Sequence, residues 1–167
     1  MGKTGFILVV LIILVIGGYF AYANFFADSA NFIEKAREKF NITDYANDAQ
    51  INEYRAFLLK EQNSKSDEIA KAIEIEVGYW EYYLVNKSVM VFIADTPNLV
   101  TINCGTETQQ FKTLTDNGKL KIKALKADLE NNKNKFKNYY NLMQDPINNL
   151  EKDITNHNDI LYILCPD

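Results

Sequence analysis

The sequence predicts an all-α protein, with an N-terminal transmembrane helix followed by an extracytoplasmic antiparallel helical bundle that carries one disulfide. Three observations favour this fold class. Residues 4–27 are uncharged and strongly apolar. Beyond them, apolar residues recur at helical spacing, and the chain of 167 residues holds only 7 glycines and 3 prolines. The third observation is a pair of cysteines, Cys104 and Cys165.

Composition and charge describe a folded protein of modest size. Charged residues make up 24% of the chain and apolar residues 47%, values typical of globular rather than disordered proteins. Because the net charge is −4, we expect no general attraction to nucleic acid or to an anionic membrane surface. We expect a membrane anchor over residues 1–27, an amphipathic stalk and linker over 28–46, and a helical bundle domain over 47–167.

Residues 4–27 are expected to cross a lipid bilayer as an uncleaved signal-anchor. The eleven residues 6–16 are all Phe, Leu, Ile or Val, and each favours insertion by about 0.3 to 0.6 kcal/mol near the bilayer centre. A helix over residues 4–27 would be about 36 Å long, enough for a hydrocarbon core of about 30 Å. Aromatic residues suited to the outer interface follow the apolar run: Tyr19, Phe20, Tyr22, Phe25 and Phe26.

The charges that flank this span predict its orientation. Lys3 and the α-amino group precede it, whereas the first charged residues after it are Asp28 and Glu34. Cationic residues are retained on the cytoplasmic side of membrane spans. We therefore expect a single-pass protein with a cytoplasmic N-terminus and an extracytoplasmic C-terminal domain.

Two alternatives involve cleavage of the leader. Ala21-Tyr22-Ala23 has the small-x-small form of a signal-peptide cleavage site, and cutting after Ala23 would give a secreted protein. Lys3-Thr4-Gly5-Phe6 resembles the Gly-Phe cleavage site of type IV pilins, and this resemblance implies a cut after Gly5. Val10 departs from that pattern, because bacterial pilins typically carry glutamate at this position.

The stalk segment is predicted to be helical as far as about Phe40. Its apolar residues fall at helical spacing, at Phe32, Ile33, Ala36 and Phe40. Asn41-Ile42-Thr43-Asp44 predicts a break. The charged residues are expected on the solvent side: Glu34, Lys35, Arg37, Glu38 and Lys39.

Two helices are predicted next, over about residues 48–61 and 66–94. Ser64-Lys65-Ser66-Asp67 is close to a capping box before the second helix, and Asp95-Thr96-Pro97-Asn98 should end it, because proline lacks the backbone donor. The buried side of the first helix is predicted to hold Ile51, Tyr54, Phe57 and Leu58. The apolar stripe of the second comprises Ile69, Ile73, Val77, Trp80, Leu84 and Val91.

An aromatic group in the second of these helices is the candidate partner or ligand surface. It consists of Tyr79, Trp80, Tyr82 and Tyr83. Core packing with the tyrosine hydroxyls at the rim is the favoured interpretation, since buried tyrosine and tryptophan usually place their polar atoms beside a partner.

The C-terminal part is predicted to contain several helices. Leu99-Val100-Thr101-Ile102 is either a short strand or an extended connector, and Thr106-Glu107-Thr108-Gln109 is a capping box that predicts a helix start. Asp116-Asn117-Gly118 is expected to interrupt that helix, and Asp145-Pro146 to form a hinge or hairpin. Two heptad seams are predicted, one through Ile122, Leu125, Leu129, Asn132, Phe136, Tyr139 and Met143, the other through Ile147, Leu150, Ile154, His157, Leu161 and Leu164.

Antiparallel packing of these seams within one bundle is favoured over an intermolecular coiled coil, because each seam covers only about three heptads. Asn132 is the polar residue of the first seam, where it is expected to fix the register or the oligomer state.

Cys104 and Cys165 are predicted to form a disulfide, as an even cysteine count outside the reducing cytosol suggests. One straight helix over residues 106–164 would separate them by about 90 Å, whereas a bridge needs Cα atoms within about 7 Å. The chain must therefore fold back between them, and Asn117-Gly118 and Asp145-Pro146 are the expected places. Two unrelated buried thiols are the alternative.

The sequence lacks the common motifs of serine hydrolases and of nucleotide-binding proteins. GxSxG, the Walker loop and GxGxxG are all absent. His157 is the sole histidine, so we interpret it as a hydrogen-bonded seam residue rather than a zinc ligand. Glu74 and Glu76 should lie on different helix faces, unlike an acid/base pair. We expect no enzyme activity, no cofactor and no metal site.

The expected role is structural: a scaffold or accessory subunit of a membrane or cell-surface complex. Its expected partners are the lipid bilayer, through residues 4–27, and other protein subunits. A ligand-binding or sensing ectodomain that uses the aromatic region around Trp80 is the alternative.

Overall fold

The computed structural model describes residues 29–43, 45–95 and 104–166, with Lys137 described through its backbone only. These residues form five α-helices and no strand, which confirms the all-α prediction. The predicted anchor and the connector at residues 99–102 lie outside the described residues. No helix of the described part is long and apolar enough to span a membrane. The helices are α1 (Ser29–Lys39), α2 (Asp48–Gln62), α3 (Asp67–Asp95), α4 (Thr106–Asn131) and α5 (Lys137–Leu164).

Helices α4 and α5 form an antiparallel hairpin. The Tyr140 hydroxyl donates to Glu130 at 2.7 Å near the turn. Farther along, Lys126 pairs with Glu151 at 2.7 Å. In the second half of α5, Asn158 donates to Thr115 in the first half of α4 at 2.9 Å. The preferred arrangement, antiparallel packing within the chain, is thus observed for these two helices.

Helix α3 completes a three-helix bundle with this hairpin. It is antiparallel to α4, because Lys71 pairs with Asp128 at 2.8 Å near one end, and the Phe92 and Phe111 rings stack with centroids 4.5 Å apart near the other. Since α4 is antiparallel to both of its neighbours, α3 and α5 are parallel to each other.

Helices α1 and α2 pack against this bundle. Helix α2 is antiparallel to α3. Its last residue, Gln62, donates to the Ala70 carbonyl at 3.3 Å, and its first residue, Asp48, pairs with Lys87 at 2.6 Å. Helix α1 is parallel to α3, since Ser29 donates to Glu68 at 3.2 Å and Arg37 to Glu76 at 2.8 Å. The first residue of α1 therefore lies at the end of the bundle that holds the α2–α3 and α4–α5 turns.

The helix of the predicted stalk segment contributes to the same core as the other helices. Its Ala30, Ile33 and Ala36 are buried in one apolar cluster with residues of α2 through α5. Amphipathic spacing predicts the helix, and the bundle covers its apolar face.

Local capping explains the helix ends around residues 39–47. Asn41 has φ of 52°, a left-handed conformation that Asn tolerates better than most residues, and the Ile42 amide donates to the Arg37 carbonyl at 2.8 Å. This confirms the predicted break. Asn47 and Gln50 form a reciprocal capping box, each side chain accepting the other's amide at 3.0 Å.

The predicted interruption at Asp116-Asn117-Gly118 is wrong, because α4 is continuous from Thr106 to Asn131. Gly118 is buried, and a Cβ at this position would lie 3.5 Å from Ile154 and 3.6 Å from Tyr82. The glycine thus lies where α3 and α5 both approach α4. Tertiary packing offsets a helix-propensity cost of about 1 kcal/mol.

The capping box predicted at the start of α4 is also wrong. Gly105 is the N-cap residue and has no side-chain cap hydrogen bond, while Thr106 is already the first helical residue. The helix begins where predicted, but without the predicted side-chain bond.

The predicted hinge at Asp145-Pro146 is wrong as well, since Pro146 lies inside α5. Met143 and Ile147 on either side of it are fully buried, so packing continues across the proline. The chain folds back instead at residues 132–136, within the predicted first seam. Asn132 does not fix a register within a helix there: it is the C-cap of α4, and its side chain donates to the Asp128 carbonyl at 2.8 Å.

The predicted disulfide between Cys104 and Cys165 is confirmed, with the Cα atoms 5.3 Å apart. It joins the residue before Gly105 to the end of α5, far from the α4–α5 turn. Lys112 donates to the Cys165 carbonyl at 2.9 Å beside it. The bridge therefore closes the hairpin at its open end.

Candidate functional site

The core contains a fully buried glutamate, Glu76. It occupies a position of α3 that follows Ile73 by three residues and precedes Trp80 by four, so it lies on the apolar stripe of this helix. A carboxylate in such a place must be paired and hydrogen-bonded, because burying an isolated charge is very costly.

Five donor atoms surround this carboxylate. Oε1 accepts from Arg37 Nε at 2.8 Å, Trp80 Nε1 at 2.8 Å and the Tyr54 hydroxyl at 3.0 Å. Oε2 accepts from Arg37 Nη2 at 2.9 Å and the Tyr139 hydroxyl at 3.2 Å. We call Glu76 and these four donor residues the Glu76 centre; it joins α1, α2, α3 and α5.

Electrostatics keep the donors of the Glu76 centre in their donating forms. Burial opposes the charge on Arg37, but the charge and hydrogen bonds of Glu76 outweigh it and raise the arginine pKa above its ordinary value. Burial, and then the nearby Glu76 charge, raise the pKa of both Tyr54 and Tyr139. The guanidinium therefore stays charged and both hydroxyls stay protonated at neutral pH.

The hydrogen bonds of this centre saturate the Glu76 carboxylate. An ionised carboxylate has about four acceptor sites, and five protein donors already occupy those of Glu76. No acceptor position is left for a substrate or a metal ion. The centre therefore holds four helices in one arrangement, and a paired, fully bonded charge of this kind can specify a unique packing.

Sequence reasoning missed the Glu76 centre. The sequence predicts Arg37 on the solvent side of α1, and that prediction is wrong: its side chain is 19% exposed and bonded to Glu76. The prediction failed because its partner lies 39 residues away, where no local pattern connects them. The one available signal was a glutamate at an apolar-stripe position.

The structure brings together three of the four residues of the predicted aromatic surface. Tyr79 and Tyr83 each pack edge-on against Trp80, with centroids 5.1 Å apart. Trp80 is only 5% exposed and its ring nitrogen bonds to Glu76. Tyr82 lies on a different side of α3, beside Gly118 of α4. Trp80 is thus part of the core, and Tyr79 and Tyr83 are its half-buried cover.

The predictions for His157, Glu74 and Glu76 agree with the structure. His157 Nδ1 lies 2.8 Å from Asn86 Oδ1, which confirms a hydrogen-bonded histidine. Glu74 is exposed whereas Glu76 is buried, so the two carboxylates do lie on different faces. Within the described ranges, no three His, Cys, Asp or Glu side chains are grouped to hold a metal ion.

Comparison of the chain with protein-family models, curated proteins and solved structures finds no match. In the described part of the chain, the buried Arg37–Glu76 ion pair joins helices in the core, and the Cys104–Cys165 disulfide joins two segments at one end of the bundle.

Proposed function

We propose that the protein is a single-pass membrane protein, anchored by residues 4–27, whose extracytoplasmic bundle acts as a scaffold or accessory subunit of a larger membrane complex. The observation that carries the proposal is the position of α1. Its first described residue, Ser29, follows the last residue of the apolar run, Ala27, by two positions, and its Arg37 is bonded to the buried Glu76. An anchor joined to α1 is thereby joined to the core of the bundle.

The proposal gives the bundle an orientation relative to the bilayer. The first residue of α1 is Ser29, at the end with the α2–α3 and α4–α5 turns, so that end is proximal to the membrane. Helix α3 has 29 residues and extends about 43 Å from there. The disulfide lies at the distal end, where it resists opening of the hairpin.

Two independent features favour an extracytoplasmic bundle. Lys3 and the α-amino group precede the apolar run, and acidic residues follow it, which is the charge pattern of a cytoplasmic N-terminus. Disulfides persist mainly in oxidising compartments, and both cysteines of the chain are bonded to each other.

The buried surroundings of the aromatic residues favour the scaffold over a sensing domain. Trp80 is packed against Tyr79 and Tyr83 and bonded to Glu76. The fully occupied Glu76 carboxylate likewise favours a role without catalysis. Exposed apolar side chains remain on the outer faces of α4 and α5, among them Leu120 and Ile163.

Photo-cross-linking in native membranes tests the accessory role. A photoreactive amino acid at Leu120 or Ile163, the most exposed apolar positions of α4 and α5, is expected to give adducts of defined mass with one partner subunit. Lys152, a charged and exposed position of α5, is the matched control and should give far less adduct. Recovery of the chain only as an uncross-linked monomer from all three positions would refute the proposed role.

A further inference from the structure

The two halves of the Cys104–Cys165 disulfide have different surroundings. Cys165 has no solvent exposure, whereas Cys104, which precedes the N-cap residue of α4, is exposed. Polar contacts from α4 hold Cys165 in place: the Gln109 side-chain amide donates to its Sγ at 3.4 Å, and the Lys112 ammonium donates to its carbonyl at 2.9 Å. One half of the bridge is therefore enclosed by the hairpin, and the other half faces solvent.

This asymmetry determines which sulfur an external thiol can attack. Thiol–disulfide exchange depends on access of the attacking thiolate to one of the two sulfurs and on the stability of the thiolate that leaves. Packed atoms of the bundle enclose Cys165, while Cys104 can be reached from solvent. The Gln109 amide and the Lys112 ammonium lie beside Cys165, and donors and positive charge next to a cysteine stabilise its thiolate. Attack at Cys104 with Cys165 as the leaving group is therefore favoured.

Polar contacts near the bridge hold α5 on α4 independently of it. Asn158 is 2% exposed, and its side-chain amide donates to Thr115 at 2.9 Å and to Asp116 at 3.0 Å. The Tyr162 hydroxyl also donates to Asp116, at 2.9 Å. Asn158 precedes Cys165 by seven residues, which is about two helical turns. A chain whose bridge is open therefore keeps Cys165 beside the first half of α4.

We propose that the Cys104–Cys165 bridge is a reversible redox switch that opens by thiol exchange at Cys104. The thiolate of a low-molecular-weight thiol such as glutathione attacks Cys104 Sγ and forms a mixed disulfide, while the Cys104–Cys165 bond breaks. The electron pair of the broken bond goes to Cys165 Sγ, which takes a proton from water. A second glutathione thiolate attacks the glutathione sulfur of the mixed disulfide, so that glutathione disulfide leaves and Cys104 becomes a thiol. The exchange requires no membrane anchor and is independent of the proposed function.

Mapping of the mixed disulfide tests the proposed site of attack. The oxidised full-length chain in neutral maltoside micelles is treated with glutathione and quenched with acid, and mass spectrometry of its peptides locates the bound glutathione. We expect glutathione on Cys104 at least about tenfold more often than on Cys165, because access limits exchange at a buried sulfur. Concentrated urea is the matched control: both sulfurs are accessible in the unfolded chain, so the ratio should fall towards one.

Single-cysteine variants give a second measurement that needs no short-lived intermediate. C165S retains Cys104 alone, and C104S retains Cys165 alone. In the folded variants, Cys104 should react with glutathione disulfide at least about tenfold faster than Cys165, and urea should remove most of this difference. Equal labelling of both sulfurs in the folded chain, an excess on Cys165, or an unchanged Cys104 preference in urea would overturn the proposed site.

Reoxidation tests whether the switch is reversible. The natural chain is reduced with glutathione, which is then replaced by glutathione disulfide. We expect the bridged monomer to return, because the contacts of Asn158 keep the hairpin in register. Disulfide-linked dimers as the main product would contradict a reversible switch.

Discussion

Replacing Arg37 with methionine is expected to destabilise the protein by about 3 to 5 kcal/mol, because removal of one partner leaves a buried charge without compensation. The Glu76 carboxylate has no solvent exposure, and Arg37 supplies two of its five hydrogen bonds. Tyr54, Trp80 and Tyr139 would remain as neutral donors. Denaturant unfolding of the full-length chain in micelles, followed by circular dichroism, measures the loss.

The control for this substitution is an exposed ion pair of similar geometry. Arg55 pairs with Glu81 at 2.8 Å, but the glutamate side chain is 51% exposed. Because pairs exposed to water contribute about 1 kcal/mol or less, R55M should cost far less than R37M. Similar losses for both variants would contradict a structural role for the Glu76 centre.

A double-mutant cycle separates the ion pair from its packing. R37M/E76Q replaces both charges, so the penalty of an unpaired buried carboxylate disappears. We expect it to be less destabilised than R37M alone. Additive losses from the two single substitutions would instead mean that the side chains act independently.

Removing the disulfide is expected to lower the free energy of unfolding by about 4 kcal/mol in the chain-entropy model. The bridge joins residues separated by 61 positions, and most of the intervening chain forms the α4–α5 hairpin. The measurement compares denaturant unfolding of the natural chain with that of C104S/C165S. Amide exchange should increase most around Lys112 and Cys165, which are hydrogen-bonded at the bridged end.

Reduction supplies the control for the disulfide. A reducing agent should shift the unfolding midpoint of the natural chain but leave that of C104S/C165S unchanged. Equal midpoints for the reduced and oxidised natural chain would contradict the proposed stabilisation of the hairpin.

Local signals in the sequence predict most helix ends well. Helix α2 ends within one residue of its predicted limit, because the chain turns at Asn63 after a run of helix formers. The break after α1 follows from Asn41, whose left-handed conformation ends the helix. The Cys104–Cys165 bridge and the need for the chain to fold back are likewise predictable from sequence.

Failures arise where distant packing overrides local preference. Glycine is a residue type that favours turns, but Gly118 lies inside α4, where the Ile154 and Tyr82 side chains approach its backbone closely. Pro146 similarly remains inside α5, whose buried face continues past it. The actual turn at residues 132–136 carries no glycine or proline, and its turn-forming residues are Asn132 and Asn134. The apolar spacing through Leu129, Phe136 and Met143 predicts a continuous seam there instead.

The pairing of Arg37 with Glu76 could not be predicted from the sequence, because the two residues are far apart in the chain. Residue type assigns Arg37 to the surface, and its hydrogen-bond partners, Glu76 and Met143, come from two other helices. The burial of Arg37 matters for the proposed architecture, because α1 is the helix that follows the apolar run. A bundle bonded to α1 in this way would move together with the anchor as a single unit.

The most direct test of the proposed architecture is labelling of lysines in intact cells with a membrane-impermeant amine reagent, followed by mass spectrometry. Lys121 and Lys123 are exposed on α4, whereas Lys3 precedes the apolar run. We predict that Lys121 and Lys123 react in intact cells and that Lys3 reacts only after the membrane is opened. Protection of Lys121 and Lys123 in intact cells, or reaction of Lys3 together with them, would contradict the proposed span and its orientation.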